Sequence, residues 1–431
     1  MNASPATRPS ERLKAILGGS AGNLVEWYDW YVYSAFTLYF APVFFPAANR
    51  TAQLLSAAGV FAVGFLMRPV GAWIMGIYAD RRGRKAGLTL SVTLMCIGSL
   101  VIAATPGYAR IGFAAPVLLV LARLLQGLSL GGEYGASATY LSEMADERHR
   151  GFWSSFQYVT LIGGQLVALL VLIVLQALLT EAQLEHWGWR VPFVIGGALA
   201  WVVFWLRRRL VETPQFESAR RSRAPRSSAW ELFRTHPRAA FVVLGLTAGG
   251  TLAFYAYSTY MQKYLVNTSG FDRETATTII ALALALYALL QPAAGALSDR
   301  IGRRPLLLGF GVLGVIFTVP LFTAIGDTRD PATAFGLTLA ALVIVTGYSA
   351  INAVVKAELF PAHIRALGVA LPYSLANTLF GGTAEYVALQ FKASGHESGF
   401  FWYVTAMIGV SLVVYATMPD TRRSAFYAKL D

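Results

Sequence analysis

The chain of 431 residues is 56% hydrophobic and only 13% charged, which leaves too little polar surface to cover a soluble globule. Its net charge of +12 comes from short basic clusters between apolar runs, a pattern that argues against a nucleic-acid-binding protein. The single cysteine, Cys96, lies in an apolar run, so no disulfide can form and neither a metal nor a redox cofactor is expected. Composition therefore predicts an all-α integral membrane protein.

Twelve apolar runs follow a short polar N-terminal segment that has no cleavable signal pattern. Each run is long enough to cross the hydrocarbon core of a bilayer as a helix. They lie near residues 15–40, 53–79, 86–105, 112–141, 152–180, 191–209, 239–266, 275–298, 305–325, 332–359, 366–391 and 398–418.

The connection between the sixth and seventh runs divides the chain. Residues 207–238 are rich in Arg, Ser and Pro and have almost no apolar periodicity, as expected of a linker. We predict an N-terminal tail at 1–14, six-helix bundles at 15–206 and 239–418, and a C-terminal tail at 419–431. Lys and Arg are concentrated on the side that holds both tails and the linker, so the positive-inside rule predicts that this side is cytoplasmic.

One turn occurs twice, about half the chain apart. Gly76 to Lys85 reads GIYADRRGRK, and Gly295 to Arg304 reads GALSDRIGRR. The repeat predicts two similar bundles around a midplane site. A glycine at a helix end lets a neighbouring helix approach closely, and the aspartate can then accept hydrogen bonds from that neighbour's N-terminus or from an arginine. The predicted gating residues of the turns are Gly76, Asp80, Arg81, Gly83 and Arg84 in the first and Gly295, Asp299, Arg300, Gly302 and Arg303 in the second. The alternative is that the turns only anchor the orientation of the chain.

Arg68 lies at the centre of the second span. A charge at the middle of a spanning helix costs about 2.5–3.5 kcal/mol on insertion scales, so it should be paired or functional. A planar guanidinium could bind a substrate carboxylate with two hydrogen bonds, and Pro69 and Gly71 should loosen the helix and let a ligand approach. The alternative is a structural ion pair with a carboxylate of the first or fourth span.

Asp29 in the first span is the predicted proton carrier. Burial favours the protonated form of a carboxyl and a nearby arginine favours the ionised form, so alternating contact with Arg123 of the fourth span would load and release a proton. Two other carboxylates are alternatives for this role. Glu26 lies three residues earlier on the same helical face as Asp29, and Glu133 follows on the cytoplasmic side of the fourth span.

The second half carries Lys263, Lys356 and Glu385 in its spans. Lys263 and Glu385 are expected near the periplasmic ends of the seventh and eleventh spans, as an outer gate pair. Lys356 is expected near the cytoplasmic end of the tenth span, where it could anchor a second substrate carboxylate or extend to the membrane surface. Polar side chains in apolar spans can line a cavity or join helices by hydrogen bonds; those predicted to contact the substrate are Gln165, Tyr255, Tyr373 and Asn377.

Finer motifs carry a family resemblance. They are Gly22-Asn23-Leu24-Val25-Glu26-Trp27-Tyr28-Asp29, Arg68-Pro69-x-Gly71, Arg123-x-x-Gln126-Gly127, Gly131-Gly132-Glu133-Tyr134, Gly188-Trp189-Arg190-x-Pro192, Glu212-Thr213-Pro214 and Glu358-Leu359-Phe360-Pro361. With the duplicated turn, they resemble the major facilitator superfamily, and within it the metabolite:proton symporter family, over nearly the whole chain. The resemblance implies two pseudo-symmetric six-helix bundles, proton coupling by an aspartate and an arginine on the first and fourth helices, and a monomer in the bacterial inner membrane.

We therefore expect a proton-coupled symporter that imports a small dicarboxylate by alternating access, with protons and membrane lipids as its other partners. Within the resemblance, the stretches Tyr260 to Thr268 and Gly381 to Leu389 favour α-ketoglutarate as the cargo. Shikimate, citrate, another dicarboxylate and proline or betaine are alternatives, although basic residues in both halves favour two carboxylates. An enzyme is not expected, because the sequence has no HExxH or Walker motif and no clustered Cys or His ligands. The repeated turns suit a gated carrier better than a channel.

Overall fold

The computed structural model describes residues 9–46, 49–82, 84–132, 134, 138–139, 141–142, 145, 148–208, 228–361 and 364–424. Within this part, twelve long helical segments follow one another and no strand occurs. The first half consists of α1 (Pro9–Phe44), α2 (Arg50–Arg82), α3 (Arg84–Ala104), α4 (Ala114–Gly131), α5 (Arg150–Leu178) and α6 (Val191–Arg208). The second half consists of α7 (Pro237–Asn267), α8 (Arg273–Ile301), α9 (Arg303–Asp327), α10 (Pro331–Glu358), α11 (365–393) and α12 (Ser398–Thr417). The predicted all-α architecture of twelve helices is confirmed.

The helices carry the features of a membrane protein. Among the described residues, α2, α4, α5, α7, α8, α9, α10 and α12 are each long and apolar enough to cross a membrane, and shorter apolar helices run over Thr89–Ala104 and Gly188–Val202. Large apolar side chains such as Phe113, Trp201 and Leu289 are exposed on the outer surface, as expected where the neighbour is lipid. The chain is a multi-pass membrane protein.

Both halves pack their helices in the same way. In the first half α1 packs on α5, α2 on α4, and α3 on α4 and α6; in the second half α7 packs on α11, α8 on α10, and α9 on α10 and α12. The halves meet along α5 against α8 and along α2 against α11. The equivalent pairing in the two halves is the structural counterpart of the sequence repeat.

The two ends of the molecule differ in how the helices are joined. At one end, which we call the turn end, α2 leads into α3 and α8 leads into α9 through Gly302, whose φ of 99° favours glycine. At the opposite end, α8 and α10 begin with N-cap aspartates, Asp272 and Asp330, which accept hydrogen bonds of 2.8 Å from Thr275 N and Thr333 N. The hydrogen bonds from Thr275 hold the pKa of Asp272 below its usual value.

Three helices of the second half are irregular near their middles or ends. The helix α7 contains a π-helical turn at Ala256–Tyr260, and α11 contains one at Asn377–Gly381. A break between Ser349 and Asn352 separates the last two turns of α10 from the rest of it. Such irregularities often occur at functional sites, and the spacing of apolar residues predicted none of them. Of the predicted linker at 207–238, residues 207–208 belong to the end of α6 and residues 228–238 are described; a short helix, Ala229–Thr235, lies within its predicted bounds.

Candidate substrate and proton sites

Arg68 lies in the middle of α2 and is only 3% exposed. Its guanidinium carbon lies 4.9 Å from the ring centroid of Trp27, 5.1 Å from that of Trp30 and 4.7 Å from that of Phe65. No described carboxylate forms an ion pair with it, and its Nη1 is buried without a hydrogen-bond partner. Cation–π contacts contribute roughly 0.5–2 kcal/mol each, whereas burying an ion costs several kcal/mol. Within the described residues, the aromatic cage therefore leaves Arg68 in need of an anion. The structural ion pair considered from the sequence stays a prediction for Glu133, which lies outside the described residues.

Close packing of α2 against α4 fixes the depth of Arg68. A Cβ atom at Gly71 would lie 2.2 Å from Leu128 O, and one at Gly131 would lie 2.1 Å from Arg68 O. These helices therefore touch backbone to backbone. The prediction that Gly71 lets a ligand approach is wrong, because the space beside this glycine is filled by α4.

Asp29 is fully buried in α1, and its carboxylate is held by α3 and α4. The Ser99 hydroxyl donates to Oδ1, and Gln126 Nε2 donates to Oδ2 at 2.7 Å. A Cβ atom at Gly196 would lie 2.3 Å from Oδ1, so α6 closes another side of the site. The direct hydrogen-bond partners of Asp29 are therefore neutral groups, and a hydroxyl can also accept a hydrogen bond from the protonated acid. This environment can hold the carboxyl in either protonation state.

Arg123 of α4 is joined to Asp29 through Gln126. Its Nη1 donates to Gln126 Oε1 at 2.7 Å, so the predicted Asp29–Arg123 contact is indirect in this structure. The guanidinium lies 3.9 Å from the ring centroid of Trp30, which thus faces both Arg68 and Arg123. The Nε and Nη2 atoms of Arg123 are buried without hydrogen-bond partners.

Of the two alternative proton carriers, the structure describes Glu26 but not Glu133. Glu26 is buried in α1, one turn before Asp29. Glu133 lies outside the described residues, so its predicted role stays a prediction.

Lys356 in α10 is completely buried, so it does not extend to the membrane surface. Its Nζ donates to Asn352 Oδ1 at 2.8 Å and to the Tyr134 hydroxyl at 3.4 Å, and it lies 3.9 Å from the ring centroid of Tyr373. Among the described residues no carboxylate pairs with it. Within the described part of the chain, Lys356 is thus a second buried cation that lacks an anion, in the half of the molecule that does not contain Arg68.

The other predicted substrate contacts lie around the junction of the halves. Gln165 of α5 donates to Ser258 O of α7 at 3.3 Å and lines a cavity about the size of one water molecule. Tyr255 packs its ring against the edge of Phe65, which also stacks on Arg68. Asn377 accepts a hydrogen bond of 2.5 Å from Thr251 Oγ1. Tyr373 therefore groups with Lys356 and Tyr255 with Arg68, while Asn377 contacts a side chain of its own half.

Asp299 joins the halves at the turn end. Its two carboxylate oxygens accept hydrogen bonds of 2.8 and 2.9 Å from the backbone N–H groups of Gly151 and Phe152, at the N-terminus of α5. It also pairs with Arg303 at 2.8 Å, and Arg303 pairs with Glu358 at 3.3 Å. Both partner types predicted for this aspartate, a helix N-terminus and an arginine, are confirmed.

Among the other residues predicted for gating, those of the second turn are described, whereas most of those of the first turn are not. A Cβ atom at Gly295 would lie 2.5 Å from Gly151 O, which confirms the close helix approach predicted for this glycine. Arg300 is exposed to the outside. In the first turn, Gly83 and the side chains of Asp80, Arg81 and Arg84 lie outside the described part of the chain, as does the surrounding of Gly76.

The opposite end is joined by a buried ion pair. Lys263 Nζ of α7 lies 3.2 Å from Glu385 Oε2 of α11, and Ser34 of α1 contacts both groups, donating to Glu385 at 3.4 Å and accepting from Lys263. The predicted pairing is confirmed, and Ser34 ties it to the first half. On the rim, Arg273 of α8 pairs with Glu185 at 2.8 Å. Side chains therefore bridge the halves at both ends.

Two equivalent six-helix bundles that enclose buried charges and are bridged at both ends are the architecture of a membrane carrier. The Major Facilitator Superfamily family profile matches residues 23–384. The chain belongs to the Major Facilitator Superfamily, a superfamily of membrane transporters rather than enzymes.

Similar proteins and structures agree with this assignment. The chain is 57% identical to the alpha-ketoglutarate permease of Escherichia coli (strain K12), over 94% of this chain and 93% of the relative. It is 35% identical to the citrate-proton symporter of Salmonella typhi, over 93% of this chain and 92% of the relative. A crystal structure of a D-xylose-proton symporter has the same fold, with a TM-score of 0.76 at 19% identity over 95% of this chain and 98% of that one.

Proposed function

We propose that the chain is a symporter that imports α-ketoglutarate together with protons across the bacterial inner membrane. The observation that carries this proposal is the pair of buried cations, Arg68 and Lys356, which belong to opposite halves and lack a carboxylate partner among the described residues. A dicarboxylate would supply one carboxylate to each cation and so bridge the halves. The 57% identical relative is named an alpha-ketoglutarate permease, which supports this choice of dicarboxylate.

Asp29 carries the proton in this proposal. A dianionic substrate would meet the negative charge of Asp29 in a desolvated site, so protonation of the carboxyl favours loading. Release of the proton restores a carboxylate that attracts Arg123 through Gln126, because the amide oxygen and the amide nitrogen face the two charges. Binding and release of the proton thus change the electrostatic attraction between Asp29 of α1 and Arg123 of α4 during the cycle.

The two bridged ends act as alternating gates. Asp299 latches the turn end, and Lys263, Glu385 and Ser34 latch the opposite end. By the positive-inside rule the turn end, with both termini, lies in the cytoplasm. Asp80 and its neighbours would form the equivalent latch of the first half, the bundles would span 15–206 and 239–418, and the carrier would work as a monomer in contact with membrane lipids.

Citrate is the second candidate cargo, because a citrate-proton symporter is 35% identical over most of the chain. Citrate carries a third carboxylate, for which the site offers Arg123 as a further buried cation. Zwitterions such as proline would leave Lys356 without an anion, so they fit the two cations less well.

Uptake into proteoliposomes tests the proposal. Labelled α-ketoglutarate is presented with an inward proton gradient, and unlabelled succinate, citrate, shikimate and proline serve as competitors. The proposal predicts accumulation that a protonophore abolishes and that dicarboxylates compete with best. Absence of α-ketoglutarate uptake, with transport of a competitor instead, would overturn the assignment of the cargo, and accumulation that survives the protonophore would overturn proton coupling.

A further inference from the structure

Tyr134 and Tyr373 form a stacked pair across the two halves. Tyr134 follows α4 and Tyr373 lies in α11; their ring centroids are 3.7 Å apart and the rings are inclined by 12°. Both side chains are at most 5% exposed. Buried aromatic rings in contact contribute a large apolar contact area. The pair therefore helps to hold the halves together beside Lys356 and on the turn-end side of Arg68.

Lys356 and Asn352 lock this pair. Tyr134 donates its hydroxyl hydrogen bond to Asn352 Oδ1 at 3.0 Å, and Lys356 donates to the same oxygen at 2.8 Å. The ammonium also lies 3.9 Å from the ring centroid of Tyr373, a favourable cation–π position. One buried ammonium thus touches both rings of the stack, and the Tyr134–Asn352 hydrogen bond crosses from one half to the other.

All the groups that Lys356 contacts in this cluster are neutral. A carboxylate brings an opposite charge that the oxygens of Asn352 and Tyr134 lack, and this attraction is stronger in a desolvated site than in water, so a substrate carboxylate would compete successfully for the ammonium. Tyr134 follows Gly131, where a Cβ atom would lie 2.1 Å from Arg68 O, so the stack lies near Arg68 as well as against Lys356, the two proposed substrate anchors. A substrate that reaches the anchors therefore reaches the stack.

We propose that Tyr134 and Tyr373 form the inner gate at the turn end and that Lys356 couples this gate to the substrate. In the empty carrier the ammonium binds Asn352 and the face of Tyr373, and the gate is closed. In the loaded carrier the ammonium binds a substrate carboxylate, the lock on the stack weakens, and the turn end opens. The direction of this coupling means that cargo promotes its own release at the turn end. This inference rests on the proposed dicarboxylate function only for the identity of the ligand.

The gate itself can be tested without any substrate. In Cys96→Ser protein, spin labels are placed at Arg148→Cys, just before α5, and at Thr417→Cys, at the end of α12; both positions are exposed and lie at the turn end in opposite halves. The distance distribution between them reports the open and closed populations. Tyr134→Phe keeps the stacked ring and removes the hydroxyl that reaches Asn352. The matched control is Tyr415→Phe, which removes a buried hydroxyl hydrogen bond of 2.8 Å to Leu246 O within the second half.

Tyr134→Phe should increase the ratio of open to closed carrier about fivefold in the absence of substrate, as expected for the loss of one net hydrogen bond. Tyr415→Phe should leave the ratio unchanged. An identical response of the two variants would overturn the gate, whether or not α-ketoglutarate is the cargo.

The coupling is tested in the same labelled protein with α-ketoglutarate as the probe. When α-ketoglutarate is added, the open population should increase in the labelled protein that keeps Lys356. The Lys356→Gln variant should stay closed, because glutamine can bind Asn352 but cannot attract a carboxylate. Opening of Lys356→Gln by the probe to the same extent as wild type would overturn the coupling. The proposed cargo is decided separately, by the uptake of α-ketoglutarate into vesicles that contain the wild-type protein.

Discussion

Gln126 separates Asp29 from Arg123 by donating a hydrogen bond of 2.7 Å to the carboxylate and accepting one of 2.7 Å from the guanidinium. The amide transmits the attraction between the two charges without a direct ion pair. A direct pair would hold Asp29 in its ionised form, because a cation in contact favours the charged carboxyl. The indirect arrangement is compatible with the proposed uptake of a proton by this carboxyl during transport.

Asp29→Asn should abolish gradient-driven accumulation of substrate while exchange across the membrane continues. Asparagine is nearly isosteric with a protonated aspartic acid and can keep contacts with Ser99 and Gln126, but it cannot release a proton. In proteoliposomes, accumulation above equilibrium should disappear, and exchange of internal for external substrate should stay within about twofold of wild type. Acid-stimulated accumulation in the variant would exclude Asp29 as the proton carrier.

Arg68→Lys should abolish uptake without preventing insertion in the membrane. Lysine keeps the charge but loses the planar fork that binds a carboxylate with two hydrogen bonds, so uptake at low substrate concentration should fall at least about tenfold. The matched control is Arg190→Lys. Arg190 is also stacked on a tryptophan, at 4.1 Å from the Trp189 centroid, but it bonds to the backbone oxygens of His186 and Thr105 at the opposite end. Normal uptake by Arg68→Lys would contradict the proposal that Arg68 binds a substrate carboxylate.

The charged residues of the spans could be predicted because a charge within an apolar run is visible in the sequence itself. The depth of Arg68 follows from its place in its span, and the pairing of Lys263 with Glu385 follows from their similar depths and opposite charges. What the sequence could not predict is which neutral groups come between charges. Ser99 and Gln126 reach Asp29 from helices that are adjacent only in the folded bundle, and polar residues of that kind most often join helices with no further role.

Exchange of the two charges in the opposite-end gate should restore what each single change destroys. Lys263→Glu places two carboxylates together in a buried site, and Glu385→Lys places two ammonium groups there, so each single variant should lose most transport. The double variant Lys263→Glu with Glu385→Lys rebuilds an ion pair beside Ser34 and should recover a substantial part of the uptake rate. Failure of the double variant to exceed the single variants would count against an ion-pair gate.

Asp299→Asn should open the turn end. An amide cannot accept two charge-assisted hydrogen bonds from Gly151 and Phe152, and such bonds are roughly twice as strong as neutral ones. The ratio of open to closed carrier, measured with the spin labels at positions 148 and 417, should increase about tenfold, with slower turnover and retained substrate binding.

The control for Asp299→Asn is Asp330→Asn at the opposite end. Asparagine is also a good N-cap residue, so it can replace Asp330 in front of α10 without affecting the gates. If Asp299→Asn leaves the ratio of open to closed carrier unchanged, as Asp330→Asn should, then Asp299 does not latch the turn end. We expect Asp80→Asn to act in the same direction through the first turn.

The turn-end stack marks the limit of prediction from the sequence. Tyr134 was visible only as part of a motif, and its partner Tyr373 is one of many aromatic residues in the spans. Their contact depends on the close approach of the two halves, and the position of Lys356 beside them depends on the break in α10 before Asn352. A lysine near the end of a span usually extends to the membrane surface; here the folded second half buries it completely.

The central claim is that Arg68 and Lys356 each bind one carboxylate of the same substrate. Calorimetric affinities of the purified carrier for α-ketoglutarate and for the monocarboxylate 2-oxobutyrate, in wild type and in Lys356→Gln, test it most directly. The ratio of the two affinities cancels any change in the gate that affects both ligands equally. Wild type should prefer the dicarboxylate at least about tenfold, and Lys356→Gln should lose that preference while it still binds 2-oxobutyrate. A variant that keeps the full preference for α-ketoglutarate would contradict the account.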